Sequence, residues 1–432
     1  MKRSARYLAL ALSLSLVVAA GCGSDNKKSN NASNTGSSTA TKSDLKVGAI
    51  FDLSGATADV GTPYSEGIRD FVDWKNASGG VAGHKIAMSY QDYGYKVPQA
   101  EQLYSQYVSQ GVKVFMGWGT GDTEALKPKV NADKIPFMSA SYAETLADPK
   151  VTPYNFFPGA SYSQQMRIAL QWISDKNPGK HVEVAVFHND SPFGTSPLDD
   201  GKKYIADHKL NLGFKNYPMP AGATDFVAQI GQAKAQGAKY IIVQNVASPA
   251  AKLAQNLKSQ NSEMQLMCLN WCADELFVKL AGPAAEGMIG VVPFAPPVAG
   301  TSGLDDINGF LKAKNTDAAT KGLHYVQGWY TMASMMQGVE NAYKANGDNP
   351  TGEQIKAGLE QIKDFKTPVS GAITFTADWH AGLLSAPMYQ VSGGAFKKLS
   401  DPITVPGPGN PSASVSGISS GSSSGSSTTT SK

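Results

Sequence analysis

Lys46-Val47-Gly48-Ala49-Ile50-Phe51, a loop to Thr62-Pro63, an amphipathic stretch to Asn76, the pair Gly79-Gly80, and then Ile86-Ala87-Met88-Ser89-Tyr90-Gln91 form the passage that decides the fold. The first six residues make a short apolar run, as a strand buried on both faces requires. Thr62 suits a helix cap with Pro63 at the first helical position, and the glycine pair stops the helix. Two strands joined through a helix lie parallel in one sheet.

Outward from this unit the alternation continues. Residues 98–110 read as helix, 112–116 as strand, 122–133 as helix and 135–139 as strand. A second set follows, with helix at 164–176, strand at 182–187, and a helix opened by Ser196-Pro197 whose Asp199 and Asp200 suit its positive end. Residues 240–243 read as strand, Ser248-Pro249 opens another helix, and 265–269 and 288–292 complete the strands. The fold class is therefore α/β, with two mostly parallel sheets flanked by helices. Roughly 350 structured residues exceed what one core usually serves, which favours two lobes.

The ends of the chain set its compartment. Lys2, Arg3 and Arg6 precede a short apolar stretch that ends in Val18-Ala19-Ala20-Gly21-Cys22. That run is too short for a comfortable membrane span and reads as an export signal over residues 1–21. Small residues before Cys22 resemble a bacterial lipobox, although Ala19 stands where leucine is usual. The resemblance implies that Cys22 carries lipid, giving an extracytoplasmic protein anchored to the membrane through lipid alone. Residues 22–43 are a Ser/Asn-rich tether, and residues 406–432 a Ser/Gly/Thr-rich tail expected to lack structure. The full chain holds 38 basic and 35 acidic residues, and cleavage removes three basic ones, leaving 35 of each. Zero formal charge gives no electrostatic case for nucleic acid.

Ligands bind an open parallel sheet at the loops leaving the carboxyl ends of its strands. Four loops stand there: Gly117-Trp118-Gly119-Thr120-Gly121-Asp122, Ser139-Ala140-Ser141-Tyr142, His188-Asn189-Asp190-Ser191-Pro192-Phe193-Gly194, and Asn245-Val246-Ala247. The first precedes a helix, and its glycines let amides approach an anion, so a carboxylate is the natural guest. Each feature also has a plainer use. Gly119 and Gly121 serve a tight turn as well, Thr120 and Asp122 equally suit capping, and Trp118, Tyr142 and Trp271 suit either core or pocket. Cys268 and Cys272 are spaced to close a small disulfide or to stand as two thiols, and no second Cys/His pair accompanies them as a metal site would need.

Asp52-Leu53-Ser54-Gly55, Gly61, Gly67-Ile68-Arg69-Asp70 and Gly79-Gly80-Val81-Ala82-Gly83-His84-Lys85 resemble the start of leucine/isoleucine/valine-binding proteins. Asp274-Glu275-Leu276-Phe277 and Ala281-Gly282-Pro283-Ala284-Ala285-Glu286-Gly287 follow in the same order. The resemblance implies a two-lobed type I periplasmic-binding fold with three hinge crossings near Pro158, Pro293 and Val369. Residues 44–157 and 294–368 would form lobe one, and 158–293 and 369–400 lobe two. It further implies a solute-binding component of an ABC importer, with a permease and its ATPase subunits as partners, no cofactor and no catalysis.

By the same resemblance the ligand carboxylate sits on the loops Gly119-Thr120-Gly121-Asp122 and Ala140-Ser141-Tyr142. The family's hydroxyl residue falls on Tyr142, its small polar residue on Gly121, and its lobe-two aromatic on Phe193. The loop Asn245-Val246-Ala247-Ser248-Pro249, which in the family commonly supplies an acid for the ammonium, has none. Asp122 or Asp190 would have to serve instead. The implied solute is an amino acid, an amide or a small carboxylate, aromatic bodies included.

Enzyme motifs are absent from the body of the chain: residues 44–400 hold no GxSxG elbow, HExxH or GxxxxGK[ST], and the GxSxG matches at 417–421 and 421–425 belong to the Ser/Gly-rich tail. Two alternatives share the remaining ground, a ligand-sensing receptor component without transport and a lipoprotein hydrolase.

Overall fold

Five parallel strands build the first sheet of the computed structural model, which describes residues 42–418. They are β1 (Leu45–Phe51), β2 (Ile86–Asp92), β3 (Val114–Gly117), β4 (Phe137–Ser139) and β5 (Asn155–Phe156), in the order β2-β1-β3-β4-β5. Helices α1 (Ala58–Ala77), α2 (Val97–Ser109) and α3 (Thr120–Asp133) connect them. β1 is buried at every position but Lys46, which is why its sequence reads as a continuous apolar run.

The chain then passes to α4 (Tyr162–Lys176) and a second sheet. Its parallel strands are β6 (Val182–Asn189), β7 (Leu212–Met219), β8 (Ala238–Gln244), β9 (Gln265–Cys268) and β10 (Ile289–Val291). Between them lie α5 (Pro192–Thr195), α6 (Leu198–Asp207), α7 (Val227–Ala235), α8 (Ala247–Ser259) and α9 (Glu275–Ala281). After β10 the chain returns to the first lobe as α10 (Asp305–Lys312), α11 (Ala318–Lys321), α12 (Leu323–Asn346) and α13 (Gly352–Glu360). Strands β11 (Ser385–Ala386), β12 (Met388–Ser392), β13 (Ala395–Lys398) and β14 (Ile403–Thr404) end the fold. β12 joins β10 antiparallel and β13 pairs with β12, whereas β11 and β14 pair apart.

Lobe one is pinned where α1 crosses α12. A Cβ on Gly67 would overlap the Tyr325 carbonyl oxygen, and one on Gly328 would overlap that of Tyr64. The two helices therefore touch backbone to backbone, an approach only glycine permits. This contact fixes Tyr64 and His324, which matter below.

Three expectations are corrected. The third crossing does not fall at Val369. Phe365 pairs with Ile373, Phe375 packs edge-on to Phe156 at 5.3 Å, His380 stacks on Phe156 at 3.8 Å, and the Gly382 amide donates to Phe157 O at 2.8 Å. The chain thus covers the edge of β5 through residue 382 before entering lobe two at β11. The tail does not lose structure at Pro406: Thr404 and Ser416 exchange backbone hydrogen bonds of 3.1 Å. The tether ends before residue 42, because Lys42 already pairs with Asp348 at 2.7 Å. The expected signal at residues 1–21, Cys22 with the tether to residue 41, and the tail beyond 418 lie outside the described residues. Among the described residues no helix is long and apolar enough to cross a membrane.

Candidate functional site

Loops from the carboxyl edges of both sheets converge on a small, narrow cavity. Lobe one contributes Thr57 and Val60 from the β1–α1 connection, Tyr95 after β2, Trp118-Gly119-Thr120 after β3, and Ala140 after β4. Lobe two contributes Tyr162 from the start of α4, Phe193 on α5, Val246 at the start of α8, and Trp271 in the short 3₁₀ turn after β9. Apart from half-buried Tyr95 these side chains and backbones are buried.

The lobe-one wall is braced from behind. Asp52 accepts from the Thr57 amide at 2.8 Å and from its hydroxyl at 2.7 Å, and Thr57 Oγ1 in turn accepts from Trp118 Nε1 at 2.8 Å. That relay fixes the tilt of the indole. Thr120 Oγ1 shares a 2.7 Å hydrogen bond with Ser141 Oγ. Tyr95 sits in the left-handed region at φ 57°, directly after Gly94 at φ 58°. A bulky side chain there is strained, and here the strain carries the ring to the cavity.

Trp271 is the hub of the lobe-two wall. Its ring lies 5.3 Å from Trp118, 5.8 Å from Tyr64 and 5.7 Å from Tyr142, all in lobe one, and its Nε1 donates to Tyr162 OH at 2.8 Å. Such tilted and edge-on aromatic pairs add to burial. Phe193 meets Tyr162 edge-on at 5.4 Å. Burial holds the phenols of Tyr95 and Tyr162 far above their usual range, so both stay neutral hydroxyls.

Around the cavity the lobes meet through polar contacts. The Ser248 amide donates to Asp59 Oδ2 at 2.8 Å, and the Leu323 amide to Glu275 Oε2 at 3.1 Å. Behind Trp271, His324 Nε2 lies 3.0 Å from Asp274 Oδ2, a close charge contact without an aligned hydrogen bond. Both partners are 3% exposed, and the imidazole stacks on Trp271 at 5.0 Å. Burial acts to lower the His324 pKa, but Asp274, Gln327 and Glu275 outweigh it and leave it raised. Burial raises the carboxyls of Asp59 and Glu275.

Of the residues expected from sequence, Trp118, Gly119, Thr120, Ala140 and Phe193 line the cavity together. Ser141 and Tyr142 stand one layer behind it. Ser141 holds Thr120, while Tyr142 OH accepts from Gln327 Nε2 at 2.6 Å. A Cβ on Gly121 would face Val97 and lobe-two Pro192 at 3.6–3.8 Å, so this glycine marks the seam between lobes rather than the cavity. The ammonium partner expected at Asp122 is a correction: that carboxylate accepts from Tyr93 OH at 2.7 Å and from the Gly119 amide at 3.1 Å, bracing the turn into α3. Burial raises its pKa to about 7. Asp190 is exposed and outside the lining. Asn245 Oδ1 accepts from Asn189 Nδ2 at 3.1 Å and from the Val246 amide at 2.9 Å, an internal brace of lobe two. The disulfide alternative is also corrected. Cys268 and Cys272 are buried free thiols, because the turn after β9 aims Cys272 Sγ at the carbonyls of Val243 and Leu269, 3.5 and 3.6 Å away.

Thr57, Val60, Tyr95 and Tyr162 were not expected. The rule that ligands gather at strand carboxyl ends applies equally to the loops after β1 and β2 and would have found the first three.

A family model described as a periplasmic binding protein matches residues 44–395. The Leu/Ile/Val-binding protein homolog 2 of Brucella abortus (strain 2308) is 25% identical over 358 residues, covering 80% of this chain and 90% of its own. Homolog 1 of Brucella suis biovar 1 (strain 1330) is 26% identical over 363 residues, covering 82% and 92%. In fold, the chain is similar to a branched chain amino acid ABC transporter protein from Thermus thermophilus solved with bound valine. The TM-score is 0.78 at 24% identity, over 84% of this chain and 97% of that one.

Proposed function

Because this chain belongs to the periplasmic binding protein family, we propose that it captures one small solute in the cavity between its lobes and delivers it, unaltered, to an ABC importer. The observation that carries the reading is the enclosure itself. Seven lobe-one and four lobe-two residues line one cavity, and around it the lobes meet through polar contacts, the Arg167–Glu144 ion pair and an aromatic hub. A solute that touches both walls stabilises the closed arrangement by the contacts it makes there and nowhere else.

The sequence supports placing this event outside the cytoplasm. An export signal over residues 1–21, lipid on Cys22 and a polar tether would hold the binder near its permease at high effective concentration. Five of the residues read from sequence, Trp118, Gly119, Thr120, Ala140 and Phe193, would touch the solute directly, joined by Tyr162 and Trp271.

Binding without turnover is the testable core. A thermal-shift screen across small amino acids, amides and carboxylates should find at least one solute that raises the melting temperature, and magnetic resonance should recover it chemically unchanged. Conversion of any hit to a product would transfer the reading to the hydrolase alternative.

A further inference from the structure

A charge moved from water into a closed cavity needs a partner of opposite sign, or it does not enter as a charge. An α-amino acid brings two such charges, and the walls meet them unequally. No lining residue is Asp, Glu, Lys, Arg or His. For an anionic end there is still a receptor. α3 runs for 14 residues from Thr120, and the Thr120 amide donates to no acceptor among the described residues. Beside it in the same lining stand the hydroxyls of Thr120 and Tyr162. The first shares a 2.7 Å hydrogen bond with Ser141 Oγ, and the second reaches Ala140 O through a long 3.4 Å hydrogen bond that a stronger acceptor would replace. A helix start with neutral hydroxyls around it stabilises a carboxylate without any cation.

For an ammonium nothing equivalent exists, because every nearby acid is engaged elsewhere. Asp122 accepts from Tyr93 OH and the Gly119 amide behind the wall, and burial raises its pKa to about 7. Asp59 receives the amides of Val60 and Ser248. Asp274 caps α9 through the Phe277 amide at 2.6 Å and faces His324 with its other oxygen. Asp52 is taken by Thr57 and Gly55. The segment from Asn245 to Pro249 offers Val246 to the cavity where an acid would be needed.

Resting on the reading that this cavity is the solute site, we infer that its ligand is a small monocarboxylate with an apolar body and no ammonium group. The carboxylate lies at the start of α3, and the body packs against Trp118, Phe193, Val246 and Trp271. Selectivity against amino acids comes from the missing counter-charge: an ammonium in this cavity would lose its water and gain only aromatic faces and hydroxyls.

Calorimetry on matched pairs tests this directly, each pair differing only in the ammonium: isocaproate against leucine, and hydrocinnamate against phenylalanine. The acids should bind more tightly than their amino-acid partners by roughly tenfold or more. Equal or tighter binding of leucine or phenylalanine would overturn the inference while leaving the solute-binding reading intact. If neither pair nor any solute in the wider screen binds, both fall. A second arm uses Val246→Glu, with Val246→Gln as the uncharged control and a melting curve to confirm folding. The Glu variant should gain leucine or phenylalanine binding that the Gln variant lacks. Amino-acid binding left unchanged by the new acid in a folded variant would count against the inference.

Discussion

On the lobe-one side of the cavity the indole of Trp118 and the hydroxyls of Thr57 and Thr120 are tied within that lobe, through Asp52 and Ser141. On the lobe-two side Phe193, Val246 and Trp271 present ring and methyl surface, with Tyr162 OH the one hydroxyl. The difference assigns two tasks. Lobe one is preorganised to read the polar end of a solute at little cost in ordering, whereas lobe two supplies apolar cover that counts only once the lobes meet. This division predicts that solute docks on lobe one first and that closure follows.

Trp271→Ala breaks this division most severely. The indole alone reaches three lobe-one aromatics and Tyr162, so calorimetry should show affinity falling by about a hundredfold, as for a buried anchor residue. An unchanged affinity would mean that lobe two is not the cover. Gly121→Trp comes next. Its side chain would start at the seam facing Pro192 and hold the lobes apart, so affinity should drop by roughly tenfold while the melting temperature of the ligand-free protein stays close to that of the parent. A large fall in that temperature would instead place Gly121 inside lobe-one packing.

Acidity should tune closure more gently. At the lobe seam burial raises the carboxyls of Asp59 and Glu275, although the Ser248 and Leu323 amides act to lower them. Burial acts to lower the His324 imidazole, and Asp274 raises it against that effect. A raised value means that the closed form binds more protons than the open one. For His324 this contribution is complete below its ordinary pKa of about 6.5 and is lost as pH rises through the raised value. Asp59 and Glu275 act in the same direction from about pH 4 upward. Affinity should thus weaken severalfold between about pH 6 and pH 9, and His324→Gln should flatten that slope. Affinity that rises with pH would refute the assignment. The smallest effect concerns Cys268 and Cys272: unfolded without reductant, both should alkylate, and reductant should leave the melting curve of the native protein unmoved.

The alternation of strands and helices was legible because β1, β3 and β4 are buried on both faces and read as apolar runs. Boundaries set by tertiary contacts were not. Thr62-Pro63 looked like a helix start, yet α1 begins at Ala58 and carries Pro63 in its second turn. Thr57, which precedes it, is bound to Asp52 and offers no cap. β7 escaped because it is an edge strand holding Gly213 and Pro218, residues that weaken a strand signal, the proline being one that an edge tolerates. Residues 406–418 escaped because backbone bonds such as Thr404–Ser416 hold them, and composition does not register those. At the site, sequence named the right sheet edge. It misassigned Asp122 and Asn245 because a side chain bracing a loop from behind has the same sequence signature as one facing a ligand.

Small-angle scattering, with and without a solute identified by thermal shift, tests lobe closure most directly. Closure over one solute predicts a smaller radius of gyration at saturation, reached at one solute per chain. A radius that stays constant through saturation would contradict it, since the solute would then be binding somewhere other than between the walls.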